Sequence, residues 1–148
     1  VILTGFAIGL SELEPEEKIR ELDKLLPYLS TWDMTDSIAP FFKVKKNNKE
    51  VFCKYFSSLL SHEEVFPRRF GIVWLMGNRK KLKDIDTLSM IIEADIDNQY
   101  FISMAVAWAF SSYYADDQSV KNLLDKLSPI TRKRAERKIR ESRRCAPL

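Results

Sequence analysis

Helical motifs recur in this chain about every 34 residues, and that period constrains the fold more than any other feature. Shifted by 34, Arg69-Phe70-Gly71-Ile72-Val73-Trp74-Leu75-Met76 falls on Ser103-Met104-Ala105-Val106-Ala107-Trp108-Ala109-Phe110, matching the small residue, the aliphatic position and the tryptophan. One period earlier, Thr35-Asp36-Ser37-Ile38-Ala39 repeats the small–aliphatic–small order, and Gly5-Phe6-Ala7-Ile8 precedes it at a similar spacing. Helices with polar starts lie between these copies, over residues 16–29, 48–60 and 82–96. A single helix pair cannot bury its apolar face, so pairs repeated at this period must stack on one another. The expected fold is all-α: a solenoid of antiparallel helix pairs forming one domain over residues 1–148.

Local signals agree with helices throughout. No run alternates apolar and polar residues between tight turns, so strands are not expected. Pro15 suits a first helical position and is followed by Glu16 and Glu17, which favour a helix N-terminus. Ser61 with Glu64 has capping-box spacing. Asp97 and Asp117 are candidate caps for the segments that follow them, and Ser128-Pro129 offers a cap and a first-turn proline to the last helix. Pro40 is expected to end or kink its helix.

Composition removes several function classes. The longest apolar runs, residues 70–76 and 104–110, are too short to span a bilayer. Two cysteines and one histidine do not make a disulfide framework or a zinc site, so neither metal nor cofactor is expected and a reducing cytoplasm is the expected compartment. The chain opens on a stretch that reads as the inside of a helix, as though an N-terminal part of the domain were missing. The net charge of +3 is unevenly spread: residues 132–144 carry a local net of +6, and the remainder is net −3. A basic final helix on an acidic body suggests either a solvated terminus or contact with a polyanion.

Chemistry-bearing residues fall at equivalent points of the repeat. Trp32 and Asp36, four apart, share a helix face. Arg68 and Arg69 occupy the matching helix of the next repeat, and Trp108 that of the following one. Stacked repeats can therefore bring Trp32, Asp36, Arg69 and Trp108 onto one concave surface. Each also has an ordinary structural reading: the tryptophans as core, Asp36 as a helix cap, Arg69 as an ion-pair partner, and the lysine clusters as solvated loops.

Several of these segments resemble a known family. Thr31-Trp32-Asp33-Met34-Thr35-Asp36-Ser37-Ile38-Ala39 is similar to the W-x-x-x-D-S signature of the AlkD-like bacterial DNA alkylation repair family. Arg68-Arg69-Phe70-Gly71-Ile72-Val73 resembles its arginine helix. Residues 100–109 resemble its late tryptophan helix, and residues 127–132 the segment after it. The resemblance covers essentially the whole chain, in order. It implies HEAT-like repeats and removal of cationic N3- and N7-alkylpurines from double-stranded DNA, without metal or base flipping. On that basis Asp36 would be the catalytic carboxylate. Trp32 and Trp108 would pack on the damaged nucleotide, Arg69 would hold phosphate, and Arg68, Lys43, Lys45 and Lys46 would contact the DNA backbone. A nucleoid-associated monomer is expected. Two features depart from the family pattern: Met104, Ser111 and Ser112 stand where basic residues are usual, and Ala107 replaces a glycine. With the acidic body, these support an alternative, a non-catalytic helical-repeat module binding DNA or a protein partner. Positive charge for a DNA contact would then come from Lys43, Lys45, Lys46 and Lys49, from Arg79, Lys80, Lys81 and Lys83, and from the last helix.

Overall fold

A computed structural model describes residues 1–148. Eight α-helices follow one another: α1 (Ile2–Leu10), α2 (Pro15–Leu25), α3 (Trp32–Ile38), α4 (Lys49–Ser58), α5 (Val65–Asn78), α6 (Thr87–Glu93), α7 (Tyr100–Asp116) and α8 (Pro129–Glu141). Short 3-10 segments join them, and there is no strand. Helices α1, α3, α5, α7 and α8 pack in succession as an inner layer. On the outer side α2 meets α4, while α4 and α6 each pack on α5. This is an all-α solenoid, and hydrogen bonds between repeats carry its period. Trp74 Nε1 donates to the Phe42 carbonyl, the Val44 amide donates to Asn78 Oδ1, and Arg69 Nη1 donates to the Phe101 carbonyl. These pairs lie 32, 34 and 32 residues apart. No helix is long and apolar enough to cross a membrane.

The small residues of the repeat mark where helices approach closely. A Cβ on Gly5 would meet the Ile38 side chain at 2.7 Å, bringing α1 against α3. A Cβ on Gly71 would lie 2.7 Å from the Phe56 carbonyl, so α5 can reach the end of α4 only with glycine there. Helix α5 is the axis of the core, with every residue from Pro67 to Met76 buried. Phe42, Phe52, Phe56 and Phe70 surround Trp74, mostly in edge-on contacts, and Phe56 stacks on the indole at 4.1 Å. Buried aromatics of this size dominate core energetics.

Several helix ends differ from the sequence expectation. Pro15 begins α2 and Ser128 caps α8 through the Thr131 amide, as the sequence indicates. Pro40 lies just past α3, in a 3-10 turn. Ser61, however, closes a 3-10 turn and donates back to the Ser58 carbonyl. Helix α5 instead starts after Glu64, whose amide donates to His62 Nδ1. Residues 82–96 form only the short α6, because the Asp86 side chain accepts from the Ser89 amide and starts the helix late. Helix α7 is capped by Gln99, whose side chain accepts from the Phe101 and Ile102 amides. Asp97 is drawn to Arg68 instead, and Asn98 turns the chain with φ at 52°. Asp117 caps as expected, but the segment it opens, Gln118–Lys126, is a run of 3-10 turns.

Candidate DNA-binding and catalytic cleft

Helix α3 has seven residues, and the four-residue spacing of Trp32 and Asp36 places them on the same face. Thr35 between them is fully buried and anchors the helix. Its hydroxyl lies 2.8 Å from the Trp32 carbonyl and 3.0 Å from Asp36 Oδ1. Helix α5 delivers Arg69 from the next repeat. Its Nε donates to Asp36 Oδ1 at 2.9 Å and its Nη2 to Asp36 Oδ2 at 2.7 Å. The third donor, Nη1, binds the Phe101 carbonyl of α7 at 2.7 Å. One guanidinium therefore joins three consecutive inner helices. The fork matches both carboxylate oxygens, a bidentate geometry that lysine cannot reproduce.

The pair is mostly enclosed, with side-chain exposures of 15% for Asp36 and 8% for Arg69. Breaking such a pair leaves an uncompensated charge in a low-dielectric place, at a cost of roughly 3–5 kcal/mol. Asp36 nonetheless reaches two clefts. One, of about 370 Å³, is lined by Trp32, Asp36, Arg69, Tyr100, Trp108 and Lys138, with Phe101 and Met104. The other, of about 620 Å³, runs from Asp36 along the ends of α5 and α7. Its rim carries Lys43, Arg79, Lys80, Lys81 and Arg144, and Trp108 stands between the two clefts. Asp36 is the one carboxylate lining either of them. Outside the rim, Asp116 is shared among Arg79 at 2.6 Å, Lys80 at 3.8 Å and Arg144 at 3.9 Å. Those three neighbours hold its carboxyl below the usual range, chiefly through the Arg79 hydrogen bond. One negative charge against three leaves the rim positive, the polarity that suits an anionic backbone.

The structure thus gathers Trp32, Asp36, Arg69 and Trp108 around one cleft, with Lys43 on its continuation. Trp32 is 52% exposed and Trp108 38%, unusual for tryptophan. Other expectations need revision. Arg69 commits three of its five N–H groups to Asp36 and the Phe101 carbonyl, so its first role is to hold the carboxylate. Arg68 points the other way and is equally buried. Its donors go to the His62 and Glu63 carbonyls and to Asp97. Lys45 faces a separate hollow beside Lys18, and Lys46 is exposed without lining either cleft. Tyr100 and Lys138 line the cleft with Asp36 although the sequence did not single them out. The signal for Tyr100 was present: Tyr100, Met104 and Trp108 are spaced by four along α7. No group of histidine, cysteine and acidic side chains is arranged to hold a metal.

No curated protein and no solved structure matches the chain at a significant level. A family model described as DNA alkylation repair enzyme matches residues 6–146. With a match over nearly its whole length, on a stacked helical fold with a cleft that brings a carboxylate beside two open tryptophans, the chain belongs to the DNA alkylation repair enzyme family.

Proposed function

We propose that this chain is a DNA glycosylase that hydrolyses the N-glycosidic bond of cationic N3- and N7-alkylpurines in duplex DNA. The observation that carries this reading is a lone carboxylate, Asp36, fixed in orientation and opening onto a cleft walled by Trp32 and Trp108 under a basic rim. Alkylation at N3 or N7 gives the purine a positive charge, so it departs neutral and needs no general acid. Ordinary glycoside hydrolysis needs two carboxylates, one of them to protonate the leaving group. Here one is enough.

As the C1′–N bond lengthens, positive charge gathers on the sugar. Asp36 stabilises it electrostatically, within a site that requires no reorganisation because Arg69 already fixes the carboxylate. Arg69 and Thr35 both meet Oδ1, and Oδ2 takes one bond from Arg69, which leaves it an acceptor site for water. A water held there attacks C1′ as the base departs and passes its proton to the carboxylate. The products are the free purine and an abasic site. The faces of Trp32 and Trp108 favour a cationic sugar by roughly 0.5–2 kcal/mol each.

The test is release of 7-methylguanine and 3-methyladenine from methylated duplex by the full-length protein, beside Asp36→Asn. The expected result is release by wild type, reduced on the order of 10²–10³-fold in the variant. Undiminished release by a folded Asp36→Asn protein would remove Asp36 from the mechanism. Because the Asp36–Arg69 pair is also what a purely structural contact looks like, a folded wild type with no release above spontaneous depurination would favour a non-catalytic module.

A further inference from the structure

A hydrogen-bonded chain behind the cleft has no part in the chemistry above. Arg134 on α8 donates through Nη1 to Ser103 Oγ at 2.7 Å. Ser103 Oγ lies 2.6 Å from Thr131 Oγ1, and Thr131 in turn contacts Asp95 Oδ2. Ser103 and Thr131 are both fully buried. The direction of every proton follows from counting donors. A carboxylate accepts only, so Thr131 gives its one proton to Asp95, and Ser103 must give its own to Thr131. Ser103 is then left as the acceptor for Arg134. The chain runs from cation to anion through two hydroxyls, each bond polarising the next. Asp95 Oδ1 is buried with no partner of its own. Asp95 makes no direct ion pair, and the hydrogen-bonded chain links it to the guanidinium of Arg134.

The guanidinium of Arg134 also lies over the Tyr100 ring, 4.9 Å from its centre. Tyr100 lines the cleft that holds Asp36, and Lys138, one turn beyond Arg134 on α8, lines it too. Arg134 makes no direct ion pair, unlike Arg68, Arg69, Arg79, Arg132 and Arg137. A guanidinium held flat by an aromatic face and a buried hydroxyl, with its other N–H groups unoccupied, is preset for an anion.

We propose that Arg134, backed by Tyr100 and oriented through Ser103, Thr131 and Asp95, receives a backbone phosphate beside the nucleotide over Asp36, while Arg69 holds the Asp36 carboxylate. Lys138 adds a second cation to the same seat. Asp95 is a positioning residue: it does not touch DNA, and it acts on Arg134 through this chain while Ser128 Oγ, at the start of α8, also reaches its Oδ2 at 3.5 Å. This deepens the glycosylase reading and rests on it for which nucleotide is held.

The experiment measures binding of the full-length protein to duplex DNA across a range of salt. Loss of one phosphate contact lowers the salt slope by about one. Arg134→Gln is expected to weaken binding about tenfold with that change in slope, and Arg134→Lys to retain the slope while weakening binding less. Asp95→Asn is expected to weaken binding about threefold in the wild type and not at all on top of Arg134→Gln. A merely structural Asp95 would cost the same in both backgrounds, and that result overturns the positioning role. Unchanged affinity and slope in Arg134→Gln overturns the seat. Should Arg134→Gln not fold, the affinities of Arg134→Lys and Asp95→Asn decide: both weaker than wild type at an unchanged slope support the seat, and wild-type affinity in both overturns it. Base release is scored separately: activity lost in Asp36→Asn with Arg134→Gln indistinguishable from wild type sinks the seat and keeps the glycosylase. A wild type without release whose duplex binding depends on Arg134 does the reverse.

Discussion

Trp74 and Trp108 occupy the same place in successive repeats and have opposite surroundings. Trp74 on α5 is fully buried, stacked on Phe56 and donating to the Phe42 carbonyl. Trp108 on α7 is 38% exposed and borders both clefts around Asp36. The difference comes from what the neighbouring repeat offers. Before α5, residues 42–56 supply three phenylalanines, Phe42, Phe52 and Phe56, that with Phe70 of α5 close around Trp74. Beside α7, the corresponding space is left open as a cleft, where α8 presents Lys138 in place of an aromatic wall. An equivalent position in a repeat thus fixes where a side chain starts and leaves its burial to the next layer.

The contrast can be broken by substitution. Trp74→Ala is expected to cost about 3–5 kcal/mol in denaturant unfolding, because it opens a cavity and orphans the Phe42 carbonyl. Any loss of DNA binding should follow the unfolded fraction. Next in size, Arg69→Ala is expected to cost about 3 kcal/mol by leaving Asp36 uncompensated, and Arg69→Ala with Asp36→Ala should be more stable than Arg69→Ala alone. Additive costs in that cycle would mean the pair contributes nothing to the fold. Trp108→Ala should cost only about 1–2 kcal/mol of stability, since much of the ring is already in water. It should weaken release of alkylated bases by about tenfold, within the range of a lost cation–π contact. A Trp108→Ala variant as unstable as Trp74→Ala would erase the distinction between the two helices.

The smallest expected effect lies on the other side of α7. Tyr113 packs outward, hydrogen-bonded to Thr87 of α6, and burial pushes its phenol up to about 12. The unfolded chain, with its phenol near 10, loses the proton first as pH rises. The contribution of Tyr113 to stability is therefore present below pH 10 and lost between about 10 and 12. Alkaline unfolding of Tyr113→Phe should show a shallower slope over that interval, while base release near neutral pH stays the same.

Much of the molecule was legible in the residues. The period of about 34 follows from chain chemistry, since small residues are needed wherever helices touch, as at Gly5 and Gly71. The α3 face with Trp32 and Asp36 follows from helical spacing alone. The caps were less legible: Ser61 and Asp97 have the residue types of caps, yet α5 begins after Glu64 and α7 after Gln99, which the sequence did not single out as a cap. The two adjacent arginines show the limit most clearly. Arg68 and Arg69 are neighbours with the same chemistry, yet they project about 100° apart on α5 and meet different partners.

By itself, the sequence determined the helices, the stacking period and the small set of residues that share a face, because these depend on local spacing and on apolar pattern. Only the tertiary structure decided which charges pair, which tryptophan stays in water, and that Asp95 answers Arg134 through two hydroxyls 31 and 36 residues away along the chain. Electrostatic partners are chosen by distance in space and by exclusion of water, and both are settled only when successive repeats have closed against one another.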